Sequence, residues 1–329
     1  MGTWKIISLV VYGATILLGL PSNLLALYVF YCRAKARLTP NLIYMINLCL
    51  SDLVFVLVLP LKMLEVGQVD WAMPDFLCPL YNLIHFGTIY TSACFLTAVS
   101  VGRFLGAVYP IHYQVYKKPR YSCLVSLGIW SLVGFHGVLI FVLETSRDTN
   151  SSLFAGNGST CYSNFSDGQL ALLAPVRLEL SVVLFFFPLA LTTFCYVGCI
   201  HVLVGSHLHV RKKRRAVRVA VATLSVFVLC FGPYNISHVV GFIYMKDIWW
   251  RRVALLPSAC NAFLDPLIFY FLSSAMDDGI VQVWHSLQKK CSSIRQKIAS
   301  AHGKRGSQQV ASAIARVTEF PFPTGPPKS

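Results

Sequence analysis

Five stretches of this chain hold no Asp, Glu, Lys or Arg, and each is long enough to cross a bilayer. They are Ile6–Cys32, Phe76–Gly102, Tyr121–Leu143, Leu180–Val210 and Val219–Met245. A helical crossing takes about 20 predominantly apolar residues. Leu38–Leu61 and Val253–Met276 complete a set of seven, interrupted only by Asp52 and Asp265. In hydrocarbon each backbone N–H and C=O must be satisfied within the protein, so such segments fold as helices. A soluble protein with seven of them would have no wet face. Charged residues make up 12% of the chain, against about 25% in a soluble domain. The expected fold class is an all-α membrane protein. It is a seven-transmembrane helix bundle over residues 1–272, with a cytoplasmic tail over 273–329.

A net charge of +15 raises the question of nucleic acid, and the distribution of that charge answers it. Basic residues follow spans one, three, five and seven: Arg33, Lys35 and Arg37; Lys117, Lys118 and Arg120; Arg211–Arg215; Lys289 and Lys290. The opposite loops are mixed. The positive-inside rule then puts the N-terminus outside and the C-terminus in the cytoplasm of a multi-pass plasma-membrane protein. The basic excess is expected to meet anionic membrane lipid and cytoplasmic partners, with no nucleic acid. The first apolar run is too long for a signal h-region and reads as a first span. Only about five residues precede it, so an external ligand is expected to bind among helices and loops.

Most of the eleven cysteines lie in spans, where a thiol behaves as a small apolar group. Cys78 and Cys161 fall on the outer side, where disulfides persist, and a bridge between them would staple the longest outer loop over the helix ends. Asn150, Asn157 and Asn164 each open an N-x-S sequence in that loop and are glycan candidates. Asn235 opens another inside span six, where it should be inaccessible. Cys291, beside Lys289 and Lys290, is either a palmitoylation site or a free thiol. An amphipathic inner helix is expected at about 273–288. Ile280, Val281, Val283, Trp284 and Leu287 would line its apolar face. The rest of the tail is rich in Ser, Gly, Gln and Pro and reads as disordered.

Carboxylates at membrane depth usually face the bundle interior. Asp52 and Asp265, with Asn23, Ser92 and Asn261 at compatible depths, could hold a sodium ion or share a proton in a structural network. Pro21, Pro60, Pro188, Pro233 and Pro266 each free a carbonyl within a span.

These positions carry a family resemblance. The chain resembles the rhodopsin-like G-protein-coupled receptors in G-L-P-S-N, L-S-D-L, the Cys78/Cys161 pair, Arg103, Trp130, Pro188 with Tyr196, F-G-P and D-P-L-I-F. The resemblance implies that Arg103, Tyr196, Phe231 and Asp265 belong to the activation machinery, with a heterotrimeric G protein and arrestin as partners. Three positions depart from the pattern. Gly102 stands where an acidic residue usually precedes Arg103, Phe231 replaces a tryptophan, and Phe269 replaces a tyrosine. The first departure leaves Arg103 without its adjacent carboxylate and implies basal signalling.

Closer still, R-L-T-P, L-P-L-K, V-R-L-E, F-C-Y-V-G-C, C-F-G-P-Y-N-I-S-H and W-W-R resemble the free fatty acid receptors, which sense external carboxylates. The segments around Arg177, His238 and Arg251 are similar to the short-chain members, whereas the first half also echoes the long-chain member. The resemblance implies that Arg177 and Arg251 anchor the ligand carboxylate and that His238 supports them. Tyr90 and His136 match other pocket positions. Tyr234, four residues before His238, shares its helix face.

The chemistry suits that reading. A guanidinium matches a carboxylate bidentately, whereas an ammonium is a point charge. The histidine donates a hydrogen bond in either protonation state. The bland readings are specific too. Arg177 could pair with Glu179 or snorkel to lipid phosphate. Arg251 could belong to an interfacial Trp-Trp-Arg-Arg belt, and His136 could be a satisfied core histidine. Neighbours on a helix point about 100° apart, so only one of Arg251 and Arg252 is expected to face the pocket. Glu144, at the outer end of span four, could neutralise an arginine or be a solvated helix end.

Ligand efficiency near 1.5 kcal/mol per heavy atom limits a four-atom acid to about 6 kcal/mol. That is tens of micromolar at best. Each further buried methylene could add about 0.8 kcal/mol. The expected function is a cell-surface receptor for free fatty acids, with short-chain carboxylates favoured. The alternatives are a receptor of the same fold for medium- or long-chain acids, hydroxy acids, another lipid or a peptide. An anion transporter is a third reading, weakened by the lack of internal repeats. Phosphate loops, metal-ligand spacings and nucleophile elbows are missing from the sequence, so an enzyme is not expected.

Overall fold

The computed structural model describes residues 2–67, 77–145, 167–206 and 210–272, all within a unit spanning Met1–Ser274. Cys161, the three glycan candidates, the tail and Cys291 lie outside the described residues. The chain order is α1 (Thr3–Ala36), α2 (Pro40–Gly67), α3 (Leu77–Val108), the short α4 (Pro110–Tyr116) and α5 (Pro119–Thr145). After them come α6 (Asp167–Ser181) and α7 (Phe187–Gly205), joined by a π-helical segment at Val182–Phe186. Next are α8 (Val210–Ser225) and α9 (Gly232–Tyr244), joined by a second π segment at Val226–Phe231. The last three are α10 (Arg251–Ala254), α11 (Leu256–Ala259) and α12 (Asn261–Leu272). No strand occurs among the described residues.

Among the described residues, six helical segments are long and apolar enough to cross a membrane. Their outward surface is hydrocarbon: Leu17 is 75% exposed, Leu57 69% and Leu229 66%. A patch of that kind associates in water and belongs against lipid tails. The seventh apolar stretch differs from the unbroken span expected of it. It is built from α10, α11 and α12 in succession, with turn residues at Leu255 and Cys260 between them. Pro257 sits in the first turn of α11, where its missing N–H costs no hydrogen bond.

Helix α1 repairs that broken segment. Pro266 has no N–H to give the carbonyl four residues earlier. That carbonyl belongs to Ala262, and Asn23 Nδ2 donates to it at 2.6 Å. The Thr15 hydroxyl lies 2.9 Å from Val11 O and 3.3 Å from Ala259 O, so its single proton is shared between the two carbonyls. Both donors are fully buried. Asn23 of α1 therefore supplies the donor that Pro266 withholds from Ala262, and Thr15 adds a weaker contact to Ala259.

The π segments have a shared cause. A proline ring clashes with the carbonyl four residues before it. Pro188 and Pro233 each follow a π segment, in which hydrogen bonds reach one residue further back. Phe187 N–H thus donates to Val182 O, and Gly232 N–H to Phe227 O. Each extra residue rotates the upstream part of the helix against the downstream part by about 100°. Helix α3 runs through the middle, packing on α2, α5 and α7. A buried aromatic series, Phe185, Phe227 and Phe231, fills the waist, with Phe227 and Phe231 edge-to-face at 5.8 Å.

Asn23→Val should orphan the Ala262 carbonyl and cost about 1–3 kcal/mol. Thermal unfolding of the purified protein in detergent checks this. An unchanged melting temperature would show that the bond carries no weight.

Candidate functional site

The end of the bundle that holds Arg177 and Arg251 is called here the upper end. Arg177 lies on α6 and is only 4% exposed. Helix α6 packs on α9, which carries His238, itself 3% exposed. Helix α10 also packs on α9 and brings in Arg251, whose side chain is 12% exposed. Three residues far apart in sequence thus converge. Both guanidinium groups act electrostatically on the His238 ring, Arg177 more strongly than Arg251. His238 Nδ1 is buried and makes no hydrogen bond. Its ring packs edge-to-face on Tyr234 at 4.4 Å, and Tyr234 stacks in parallel on Phe86 of α3 at 5.5 Å.

Two cavities flank this convergence. A cleft of about 540 Å³ opens among α1, α2, α3, α9 and α10. Lys5, Tyr12, Lys62, Glu65, Tyr234 and Arg251 are among its walls. A chamber of about 40 Å³ lies between α3, α5 and the α6–α7 segment, bordered by Tyr90, His136, Leu180 and Leu184. Asn82 and Phe86, one helical turn apart on α3, border both. Arg177 and His238 line neither; they sit behind the walls.

Several residues occupy places that differ from the sequence expectation. Glu179 meets His136, with Nε2 to Oε1 at 3.2 Å. Glu179 is two residues from Arg177 and so about 200° round the helix. His136 Nδ1 also contacts Leu132 O at 2.7 Å, so its ring is tethered at both nitrogens. Tyr90 donates from its hydroxyl to Asn235 Oδ1 at 3.4 Å, and Asn235 is buried, as its place inside a span requires. Arg251 and Arg252 both border the cleft, against the expectation that one alone would. Helix α10 is a short turn at a wide rim, so two directions about 100° apart both meet open space. The two still differ, because Arg251 is partly buried and Arg252 exposed. Glu144 falls in the last turn of α5, but its side chain lies outside the described residues, as does that of Cys78.

Three features of the site were missed in the sequence. Asp247 Oδ1 pairs with Arg251 Nη1 at 2.5 Å, and the spacing of four residues in K-D-I-W-W-R was a usable signal. Lys62 and Glu65 form a second ion pair at 2.6 Å on α2, facing the cleft. Asn82 and Phe86 gave no sign, because a turn of apolar helix reads as core.

Deeper in the bundle, Asp52 and Asp265 are buried, as are Ser92 and Asn261. Both Asp265 carboxylate oxygens and Asp52 Oδ2 are buried without a hydrogen-bond partner, and the Ser92 hydroxyl lies against the Asp52 carboxylate. Such hard oxygens suit a hard cation such as sodium, or a shared proton. Among the described residues no group of three His, Cys, Asp or Glu could hold a metal ion. At the lower end Arg103 lies near Tyr196 and Cys199 of α7 and Arg215 of α8. Tyr196 OH and Thr223 Oγ1 are 3.1 Å apart, linking α7 to α8.

Residues 22–269 match the 7 transmembrane receptor (rhodopsin family). G-protein coupled receptor 42 of Homo sapiens is 43% identical over 290 residues, covering 87% of this chain and 81% of that protein. Free fatty acid receptor 3 of Mus musculus is 39% identical over 282 residues, or 85% of this chain and 88% of that one. Free fatty acid receptor 1 of Mus musculus is 40% identical over 287 residues, or 84% and 95%. The chain belongs to the rhodopsin family of seven-transmembrane receptors, within the group of free fatty acid receptors. Members of this family are receptors and not enzymes. Membership and the apolar helices together make the chain a multi-pass membrane protein.

Proposed function

We propose that this protein is a plasma-membrane receptor activated by external free fatty acids, with short-chain carboxylates favoured, that signals through heterotrimeric G proteins. The observation that carries this reading is the convergence of Arg177, His238 and Arg251 from three helices at the upper end. Cations in a low-dielectric bundle repel one another, and an anion among them relieves both the repulsion and the loss of solvation. A carboxylate fits because each guanidinium can grip two oxygens and His238 Nδ1 is available to a third contact. The relatives named for free fatty acids support the same ligand class.

In this reading the acid enters by the large cleft, past Tyr234 and Arg251, and its alkyl end rests toward the chamber beyond Phe86. A water-sized body needs about 10–15 Å³ of such volume. The chamber's 40 Å³ therefore takes about three, which suits a short chain. A second reading, a longer acid, rests on the 540 Å³ cleft. A panel of acids separates the two. Short-chain selectivity predicts potency that peaks below about six carbons, whereas an apolar tunnel gains about 0.8 kcal/mol with each methylene.

The N-terminus is taken to face outside and the tail the cytoplasm. Agonist would then shift the bundle toward a state that opens the lower face around Arg103, Tyr196 and Lys213–Arg218 to the G protein. A ligand does so only by binding that state more tightly. Arrestin and anionic membrane lipid are the further partners of that face. The Asp52/Asp265 cluster is read as a site for sodium or a shared proton that stabilises one of the two states.

Arg177→Ala and Arg251→Ala should each lower the potency of propionate by at least about tenfold in a G-protein activation assay. Full potency in both variants would sink the site. Gly102→Glu should reduce ligand-free G-protein activation, because it restores a carboxylate beside Arg103. A Cβ at Gly102 would press on the end of the Asn41 side chain, at 2.7 Å, and touch the Tyr113 hydroxyl at 3.6 Å, so a shift of the Asn41 amide accommodates the new residue. Gly102→Ala adds the Cβ without the charge and should leave basal output unchanged. Equal basal output in wild type and Gly102→Glu would refute the missing-latch argument.

A further inference from the structure

We infer that Gly241 is a positioning residue for Arg251 and thereby sets the affinity of the carboxylate site; the inference rests on the carboxylate reading above. Gly241 lies on α9, three residues after His238 and so on the same face. Within a helix a glycine is ordinarily a liability, since alanine there loses less backbone entropy. Its presence at this point has a steric explanation. A Cβ built on Gly241 would stand 2.7 Å from Arg251 Nη2 and 3.4 Å from Lys246 O. The guanidinium therefore lies directly on the helix backbone, in space that any side chain would fill.

The chain beyond α9 is folded to bring Arg251 to that seat. Met245 takes a left-handed conformation, with φ 47°. Its N–H donates to Phe242 O at 3.3 Å, and Lys246 N–H donates to Gly241 O at 3.2 Å. This is the Schellman ending of a helix. It turns the backbone back over Gly241 and places Asp247 and Arg251 above the end of α9. Asp247 then holds Nη1, while Nη2 occupies the space that a Cβ on Gly241 would take. The guanidinium is held at Nη1 by Asp247, and a side chain at Gly241 would push Nη2 out of its place. A guanidinium held in this way loses less freedom when a carboxylate aligns with it. The glycine also keeps Arg251 within electrostatic reach of His238, one turn down the same face.

Gly241→Ala tests this in two assays. The first is G-protein activation by propionate at matched surface density. The half-maximal concentration should rise about tenfold, the loss of one charge-assisted hydrogen bond, with the maximum unchanged. In an Arg251→Lys background the same substitution should cost less than about twofold, because an ammonium has no second fork nitrogen to collide. Wild-type potency in Gly241→Ala, or an equal loss in both backgrounds, would overturn the inference. The second assay needs no ligand. Phenylglyoxal modification of Arg251, followed by mass spectrometry, should be faster in Gly241→Ala than in wild type, and equal rates would overturn the seat. If Arg251 labelling accelerates while wild type ignores propionate, the seat stands and the carboxylate reading falls. If Arg177→Ala loses its response while Gly241→Ala changes neither readout, the carboxylate reading stands and the seat falls.

Discussion

Burying Arg177 is the constraint around which the upper half of this bundle is organised. A guanidinium 4% exposed amid apolar helices cannot give up its proton, so it must be compensated by its surroundings. Each element nearby bears on that need. Helix α9 presents a neutral-capable imidazole to it, and α10 brings a second cation whose charge is met by Asp247. Glu179 is turned away toward His136. These groups do not neutralise the charge of Arg177, and His238 Nδ1 is left buried and unbonded. In the proposed reading, an anion arriving at that point would meet a field already oriented toward it.

The geometry depends on helices that are irregular in particular places. The π segment at Val182–Phe186 lies between Arg177 and Pro188. It rotates the upper half of that helix relative to its lower half, and so decides which way Arg177 faces. The second π segment does the same for His238 above Pro233. The seventh segment is divided into α10, α11 and α12, with Arg251 at its rim, and Asn23 and Thr15 of α1 reach carbonyls along it. Irregularity of this kind costs backbone hydrogen bonds, and at Ala262 the loss is offset by Asn23.

Fold class was legible because charge-free runs of bilayer length have one physical solution. Arg177, His238 and Arg251 stood out for the same reason, as polar atoms in apolar surroundings. The sequence was weaker wherever direction mattered. It offered no way to see that α6 would turn Glu179 onto His136, since π segments carry no signature beyond the following proline. Confinement of the pocket to one of Arg251 and Arg252 was expected from the helical period and failed, because α10 is a single turn at an open rim. Gly241 was invisible: a glycine in an apolar helix reads as ordinary packing until the neighbour that needs its space is placed. Asp247 was hidden in the same way, as one charge in a loop whose fold the sequence did not dictate.

The central claim is that Arg177 and its partners bind a carboxylate directly. Propionate labelled with ¹³C at the carboxyl carbon offers the most direct test, followed by NMR relaxation against the purified receptor in detergent. The account predicts saturable line broadening in wild type that Arg177→Gln abolishes, while an uncharged propionamide leaves both proteins unaffected. Equal broadening in wild type and Arg177→Gln would contradict it.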